Sequence, residues 1–242
     1  MNSTAISERL IVALDVPTGR QALELVAELE DSVRFFKVGL ELIASGDGLK
    51  VIDRLADMGH HVFADFKLLD IPQTVYRSVN NLNRRGIRFL TVHADPQTMQ
   101  AAAKAANGIS ILAVTVLTSL NDKTLQMTGI TMSTAELVKM RAKQAQKAGC
   151  AGVISSPREA QLIRENLGQD FLIVTPGIRN SKSSDDQERT MGINQALEAG
   201  SDFIVVGRPI RDAECPKQTA LEFQAAIFEF EQSRQSVADV SH

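Results

Sequence analysis

Short apolar runs alternate with amphipathic stretches along almost the whole chain. Each run is rich in β-branched residues or phenylalanine and lacks a regular alternation of polar residues. Such runs are typical of strands that are buried on both faces, as in a parallel sheet. The pattern predicts strands at Leu10–Val16, Arg34–Val38, His61–Phe66, Ile87–His93, Ser110–Leu117, Gly152–Ser155, Phe171–Pro176 and Phe203–Gly207.

The stretches between these strands have the residue spacing of helices. In Thr134–Ala148, apolar residues recur at intervals of three and four, which gives one face that can pack on a sheet. The predicted helices include Arg20–Asp31, Gly48–Met58, Val75–Arg85, Thr134–Ala148 and Lys217–Ser233. Several helical stretches stop at a glycine, the residue that most readily adopts the left-handed conformation at a helix end. These glycines are Gly59, Gly86, Gly149, Gly168 and Gly200.

About eight strand–helix units in 242 residues match a (β/α)8 barrel, which typically needs about 250 residues. The rival interpretation is a doubly wound open parallel sheet, which more often has fewer strands. No glycine-rich linker or low-complexity stretch divides the chain. We therefore expect an α/β protein with one barrel domain over residues 1–242 and a frayed tail at Val237–His242.

Charge and composition exclude several classes of protein. The chain has 26 Lys and Arg against 29 Asp and Glu, a net charge of −3, whereas nucleic-acid-binding surfaces are usually basic. Its two cysteines, Cys150 and Cys215, are too few for a disulfide framework or a metal site. No apolar run approaches the roughly 18 residues of a membrane span, and the amino terminus lacks the apolar core of a signal peptide. We expect a cytoplasmic protein that binds neither membranes nor nucleic acid polymers.

In a (β/α)8 barrel, the active site lies at the carboxyl ends of the strands. Polar residues there are informative, because the strands are otherwise apolar. The candidates at or just after the predicted strand ends are Asp15, Lys37, Asp65, Lys67, His93, Thr118, Ser119, Gly207 and Arg208.

The densest group of candidates lies around the third predicted strand. Asp65 and Lys67 are two residues apart, so on a regular strand they face the same side. Charged side chains that point into a barrel mouth must be paired, because an isolated buried charge is costly. Lys37 on the neighbouring strand and Asp70 just past the strand end would complete a balanced array. We interpret the convergence of these residues as an active site.

Two simpler interpretations remain open for this group. Asp70 precedes Ile71 and Pro72, so it could serve only as the N-cap of the next helix. Asp65 and Lys67 could form an ion pair that only stabilises the fold.

A second group of residues indicates an anion site. The seventh predicted strand ends in Pro176–Arg179, and the eighth in Gly207–Pro209. Loops after strands 7 and 8 form the recurrent phosphate site of these barrels, and an arginine can bind a phosphate through two parallel hydrogen bonds. The alternative is that Gly177 and Gly207 only form turns. The intervening Asn180–Arg189 is polar, as is typical of a mobile lid.

The motif Asp65–Pro72, with the sequence Asp-Phe-Lys-Leu-Leu-Asp-Ile-Pro, resembles the signature of the orotidine 5′-monophosphate decarboxylase family. The resemblance covers essentially the whole chain, and the Gly-Ile-Arg turn resembles the bacterial branch. It implies a (β/α)8 barrel that forms uridine 5′-monophosphate in the last step of its synthesis, without a metal or cofactor. Further segments that resemble the family are Ala13–Asp15, Phe36–Gly39, Val92–Ala94, Val114–Ser119, Thr175–Arg179 and Val205–Ile210.

The resemblance also implies a role for each candidate residue. Lys67 would protonate C6 of the pyrimidine, Asp65 would face the departing carboxylate, and Lys37 and Asp15 would bind the ribose hydroxyls. Asp70, Ile71 and Thr74 would reach into the partner subunit's active site, so that a homodimer shares its sites. The implied contacts to the base are Thr118 and Ser119, and those to the phosphate region are Pro176, Arg179, Gln187, Gly207 and Arg208.

The residue set suits this chemistry. Loss of CO2 from C6 leaves an electron pair in the ring plane, where no π system can delocalise it, so an electron-sink cofactor would help little. A lysine can stabilise that charge and also protonate it.

Two other functions remain open. Mg²⁺-dependent phosphosugar lyases, such as 3-keto-gulonate 6-phosphate decarboxylase or hexulose 6-phosphate synthase, resemble the chain in the Asp-x-Lys-x-x-Asp motif. They place a glutamate on strand 2, where this chain has Lys37, with Glu41 further along. A non-catalytic nucleotide-binding barrel would keep the glycine turns but would have no use for the charged group.

Overall fold

The computed structural model describes residues 8–178 and 192–240, with side chains to residue 236. The described residues form eight parallel strands that close into a barrel, each paired with its neighbours in chain order and β1 with β8. This confirms the (β/α)8 fold and rules out the open sheet. The strands are β1 Leu10–Ala13, β2 Phe35–Val38, β3 His61–Leu68, β4 Ile87–His93, β5 Ser110–Val114, β6 Gly152–Ile154, β7 Leu172–Pro176 and β8 Phe203–Val206.

Helices follow the strands and cover the outside of the barrel, where their apolar faces and the outward strand residues form the larger core cluster. The short helices α2, α6, α9 and α10 were not predicted. The helices are α1 Gly19–Leu29, α2 Leu40–Ala44, α3 Gly48–Asp57, α4 Pro72–Leu82, α5 Pro96–Ala105, α6 Asp122–Met127, α7 Thr134–Lys147, α8 Pro157–Leu167, α9 Ile193–Glu198, α10 Arg208–Arg211 and α11 Pro216–Val240.

Local chemistry sets the helix ends. Helix α7 begins after Ser133, whose hydroxyl accepts a hydrogen bond from the Glu136 backbone while the Glu136 carboxylate accepts one from the Ser133 backbone at 2.9 Å. Helix α4 begins at Pro72, three residues before the prediction, because the fixed φ of proline suits a first turn. The predicted glycine ends are confirmed at Gly59, Gly149, Gly168 and Gly200, which have φ between 80 and 100°. The prediction was wrong at Gly86, because α4 already ends at Leu82 and Gly86, with a φ of 66°, ends the turn that follows.

The last helix corrects the prediction at the carboxyl end of the chain. Helix α11 was expected to stop near Ser233 and to give way to a frayed tail from Val237. Its backbone instead remains helical to Val240. The segment after Pro216 contains neither glycine nor proline before that point, so nothing in the sequence ends the helix earlier.

Phenylalanine rings fill the amino-terminal half of the barrel interior. The rings of Phe35, Phe89 and Phe203 meet with centroids 4.9 to 5.9 Å apart. The guanidinium of Arg88 lies 5.3 to 5.6 Å from the three centroids and also pairs with Glu8 at 2.7 Å. The described part of the interior is therefore packed at this end, and a cavity lies toward the carboxyl ends of the strands.

Candidate active site

A cavity of about 520 Å³ opens at the carboxyl ends of the strands. This volume is within the usual range for small-molecule sites. The predicted site residues that line it are Asp15, Lys37, Asp65, Lys67, Thr118, Pro176, Gly207 and Arg208.

Four of these residues form a row of alternating charge. The Lys37 ammonium lies 2.9 Å from Asp15 Oδ1 and 3.4 Å from Asp65 Oδ2, so it bridges the ends of β1 and β3. The Lys67 ammonium donates to the same Asp65 Oδ2 at 2.8 Å. Asp65 is thus shared by two lysines, and its side chain is only 12% exposed.

Gly39 leaves room for this row. A Cβ atom at position 39 would lie 3.0 Å from Lys37 Nζ and 3.1 Å from Asp15 Oδ1, closer than almost all real contacts. Its φ of −110° is open to any residue, so the requirement for glycine here is steric rather than conformational.

The two inner members of the row, Lys37 and Asp65, are held in their charged forms. Burial alone would raise the pKa of the Asp65 carboxyl, but the charges of Lys37 and Lys67, with hydrogen bonds from Lys67 and Thr91, hold that pKa below its usual value. Burial would likewise lower the pKa of the Lys37 ammonium, and the charges of Asp65 and Asp15 outweigh burial and raise it.

Asp65 and Lys67 meet for a reason that differs from the predicted one. On a regular strand they would share a face by simple alternation. The structure instead interrupts the pairing of β3 with β4 between Ala64 and Leu68, and Lys67 has a left-handed φ of 50°. A lysine in this conformation is uncommon, and such strain concentrates at functional sites. The buried Thr91 of β4 lies opposite and hydrogen-bonds to both residues.

Apolar side chains form most of the remaining wall, and the sequence analysis missed them. An apolar strand residue gives no sign of whether it faces the cavity or the helices, because both faces of these strands are buried. The added wall residues include Phe63, Val114, Val116, Ile154, Ile178 and Val205.

A buried polar residue was missed as well. Ser155, just after β6, is buried in the lining, and its hydroxyl has no hydrogen-bond partner among the described residues. Glu41 lies past the end of β2, in α2, and also lines the cavity.

The opposite side of the cavity is formed by the turns after β7 and β8. Gly177 has a φ of 80°, which permits a turn that other residues resist, and Arg208 lines the cavity from the first position of α10. Arg211, which the sequence analysis did not select, ends α10 and donates to the backbone oxygen of Asp15. The predicted Arg179, Gln187 and the Asn180–Arg189 segment lie outside the described residues.

Several predicted residues are not in the cavity lining: Ser119, Asp70, Ile71 and Thr74. Asp70 is exposed, and its Oδ1 accepts from the Ile71 backbone at 2.7 Å. Ile71 is the N-cap residue of α4, so Asp70 lies one residue before the position that the simpler interpretation gave it.

Three further observations concern metal ligands, the buried cysteine and membrane-spanning helices. The described part of the chain contains no group of three or more His, Cys, Asp or Glu residues that could hold a metal ion. Burial raises the pKa of the Cys150 thiol to about 12. Within the described ranges, we find no helix with the length and apolar character needed to cross a membrane.

Comparison with known proteins identifies the family. Residues 8–223 match the model of the Orotidine 5'-phosphate decarboxylase / HUMPS family. An orotidine 5'-phosphate decarboxylase of Methylococcus capsulatus is 46% identical over 224 residues, covering 92% of this chain and 93% of the relative. One of Bradyrhizobium diazoefficiens is 48% identical over 226 residues, covering 92% and 95%.

Solved structures agree with this relationship. The crystal structure of orotidine 5'-phosphate decarboxylase from Lactobacillus acidophilus superposes with a TM-score of 0.80 at 37% identity, covering 91% of this chain and 99% of the other. The similarity therefore extends over the barrel and the strand ends that form the cavity. The chain belongs to the orotidine 5'-phosphate decarboxylase / HUMPS family.

Proposed function

We propose that the protein is a carboxy-lyase that converts orotidine 5′-monophosphate to uridine 5′-monophosphate and CO2, the last step of pyrimidine nucleotide synthesis de novo. The observation that carries this proposal is the row of Lys37, Asp65 and Lys67 in a cavity at the carboxyl ends of the strands, in a chain whose bacterial relatives are named orotidine 5'-phosphate decarboxylase. A decarboxylation that leaves a localised negative charge needs a cation and an acid at the same point, and Lys67 provides both.

The reaction balances with residues of the site alone. The bond between C6 and the carboxylate carbon breaks, CO2 leaves, and the electron pair stays on C6. The Lys67 ammonium gives its proton to C6, becomes an amine and takes up a proton from water. Substrate and one proton therefore yield product and CO2. The Asp65 carboxylate, held 2.8 Å from the Lys67 ammonium, would face the substrate carboxylate and keep the lysine beside C6.

The rest of the cavity fits the rest of the nucleotide. Asp15 and Lys37 would bind ribose hydroxyls, and the Asp15 side chain, 40% exposed, is the most accessible member of the row. Gly207 and Arg208 would bind the phosphate with Arg179 and Gln187 from the loop after β7. Pro176, at the end of β7, would contact the substrate beside them. Thr118, which lines the cavity after β5, would contact the base together with Ser119. Binding of this remote phosphate would supply energy for orientation at C6.

The position of Lys37 argues against a Mg²⁺-dependent phosphosugar lyase. Its ammonium lies between the two carboxylates of Asp15 and Asp65, so a divalent ion at this place would have to displace a charged side chain. Glu41, the nearest candidate for the glutamate of those enzymes, comes after the end of β2 rather than on it.

Asp70 would act in a partner's site within a homodimer. Its carboxylate is outside the cavity of its own chain, and it is flanked by apolar side chains that are unusually exposed: Leu69 by 61% and Ile71 by 68%. Exposed apolar residues beside a charged one are typical of a protein interface. Ile71 and Thr74 would accompany Asp70 across a twofold axis, which makes such contacts occur twice.

Incubation of the purified protein with orotidine 5′-monophosphate tests the function directly. We expect CO2 and uridine 5′-monophosphate in equal amounts, at the same rate with and without EDTA. Absence of CO2 would overturn the proposal. Activity that EDTA abolishes and Mg²⁺ restores would assign the protein to the metal-dependent lyases instead.

A further inference from the structure

We propose that Thr91 is a positioning residue that holds Asp65 and Lys67 in their reactive arrangement. This inference rests on the proposed decarboxylase function, since it concerns the proton donor of that reaction. Thr91 lies on β4, outside the motif that carries the resemblance to the family, and its side chain is completely buried.

Two hydrogen bonds of opposite direction connect Thr91 to the row. Its hydroxyl oxygen accepts from the Lys67 backbone N–H at 3.0 Å. Because an amide can only donate, the hydroxyl proton is available for Asp65, and Thr91 Oγ1 lies 2.9 Å from Asp65 Oδ1. The other oxygen of Asp65 accepts from the Lys67 ammonium at 2.8 Å. The bonds thus form a closed ring through Thr91, Asp65 and both ends of Lys67.

The ring lies where the backbone pairing between two neighbouring strands is irregular. The pairing of β3 with β4 is interrupted between Ala64 and Leu68, opposite Leu90 and Val92, and Thr91 lies between these two partners. Lys67 has a φ of 50° at this interruption, a conformation that costs free energy in a residue with a side chain. The hydroxyl of Thr91 gives the Lys67 amide an acceptor there and so favours the conformation that points the lysine into the cavity.

Thr91 also acts on the charge of Asp65. The charged groups around that carboxylate are Lys37 from β2, Lys67 from β3 and, beyond Lys37, Asp15 after β1. The Thr91 hydrogen bond favours the ionised carboxylate in addition to these charges. If an apolar side chain replaced Thr91, Asp65 Oδ1 would lose this donor and would be buried against that side chain.

Thr91→Val separates positioning from packing, because valine keeps the shape and removes both hydrogen bonds. We expect kcat to fall about tenfold to a hundredfold, the loss typical of hydrogen bonds to charged groups, while KM changes by less than about threefold because the phosphate contacts are intact. Thr91→Ser keeps the hydroxyl and should retain kcat within about threefold of the wild type.

Thr175→Val is the matched control. Thr175 is equally buried on β7, and its hydroxyl donates to the Phe203 backbone at 3.2 Å, away from the charged row. A similar loss of kcat in both valine variants, or a Thr91→Ser variant as impaired as Thr91→Val, would show that Thr91 only stabilises the barrel.

A titration of Asp65 decides the question without any catalysis. In carboxyl-carbon NMR spectra, with Asp65→Asn to assign the signal, Thr91→Val should raise the pKa of Asp65 and Thr175→Val should leave it unchanged. An unshifted titration in Thr91→Val would overturn the inference. Inactivity of the wild type toward orotidine 5′-monophosphate would instead refute the proposed function, and the titration would still report on Thr91.

Discussion

Asp65 concentrates the chemistry of the site in one carboxylate, because two lysines and a threonine share its two oxygens. Lys67 is the proposed proton donor beside this carboxylate. Lys67→Ala removes the proton donor and the cation beside C6 together, so we expect kcat to fall by about a thousandfold or more. Steady-state kinetics measures the loss of kcat. Equilibrium binding of uridine 5′-monophosphate measures the affinity for the product, which should persist.

The control for this variant is Lys50→Ala, which removes an exposed lysine of α3. More than about a tenth of wild-type activity in Lys67→Ala would contradict its assignment as proton donor.

The second prediction at the residue scale concerns a substitution at Gly39. In Gly39→Ala the new methyl group would press on the Lys37 ammonium and the Asp15 carboxylate and shift them by a few tenths of an ångström. Because displacement of about 1 Å near a reacting centre can cost roughly a hundredfold in rate, we expect this smaller shift to lower kcat/KM by about threefold to tenfold, with an almost unchanged melting temperature. In Gly192→Ala the added Cβ would lie 3.7 Å from its nearest neighbour among the described residues, an ordinary contact, so this variant should keep full activity. A fully active Gly39→Ala would show that the row tolerates displacement.

At the scale of secondary-structure elements, the turn from β8 into α10 presents Arg208 to the cavity. If it binds the phosphate, Arg208→Ala should weaken nucleotide binding by roughly 1.5–3 kcal/mol and leave nucleoside binding almost unchanged. Calorimetry with uridine 5′-monophosphate and with uridine measures both affinities. Arg158→Ala, at the exposed start of α8, is the control. Equal losses for nucleotide and nucleoside would mean that Arg208 supports the fold instead.

The sequence predicts the elements far better than it predicts the irregular pairing inside β3 and the walls of the cavity. The strands were visible because a strand buried on both faces must be apolar throughout, and the helix ends because glycine tolerates positive φ. The interruption in β3 was not visible, because it is a feature of the pairing with β4, which the sequence of one strand does not show. The spacing of the motif correctly predicted that Asp65 and Lys67 meet. The regular alternation of a strand does not fully explain that meeting, because the pairing of β3 is interrupted there. Cavity walls such as Val114 require the barrel's three-dimensional closure before they can be recognised.

At the scale of the whole molecule, the proposed dimer gives a test by complementation. Asp70→Asn and Lys67→Ala should each be nearly inactive as separate proteins. If sites are shared, a mixed dimer has both lesions in one site and leaves the other intact, so subunit exchange should restore activity toward half per mixed dimer. Native mass spectrometry verifies the exchange. Verified exchange without recovered activity would mean that Asp70 serves its own chain.

The amino-terminal end of the barrel should respond to acid. Burial would raise the pKa of Glu8, but hydrogen bonds from Arg88 and His61 lower it overall. A carboxyl whose pKa is depressed by folding stabilises the protein above its unfolded value, here 4.5, and loses that contribution as the pH falls through its folded value. In denaturant titrations, the free energy of unfolding should therefore fall more steeply below pH 4.5 in the wild type than in Glu8→Gln. The exposed Glu222→Gln serves as control, and parallel pH profiles for the wild type and Glu8→Gln would refute the expectation.

Closure of the barrel through β1 and β8 has a consequence for how the chain is made. Leu10 pairs with Ile204, and the Arg9 side chain donates to the backbone oxygens of Ser201 and Asp202, so the first strand finds its second neighbour only after β2 to β7 have been synthesised. Until the ribosome has released β8, the nascent sheet keeps two open edges, on β1 and β7, which are prone to pair with other chains. A chain that stops before β8 would already contain the whole charged row. It would still lack the cavity, because Val205, Gly207 and Arg208 form the remaining wall.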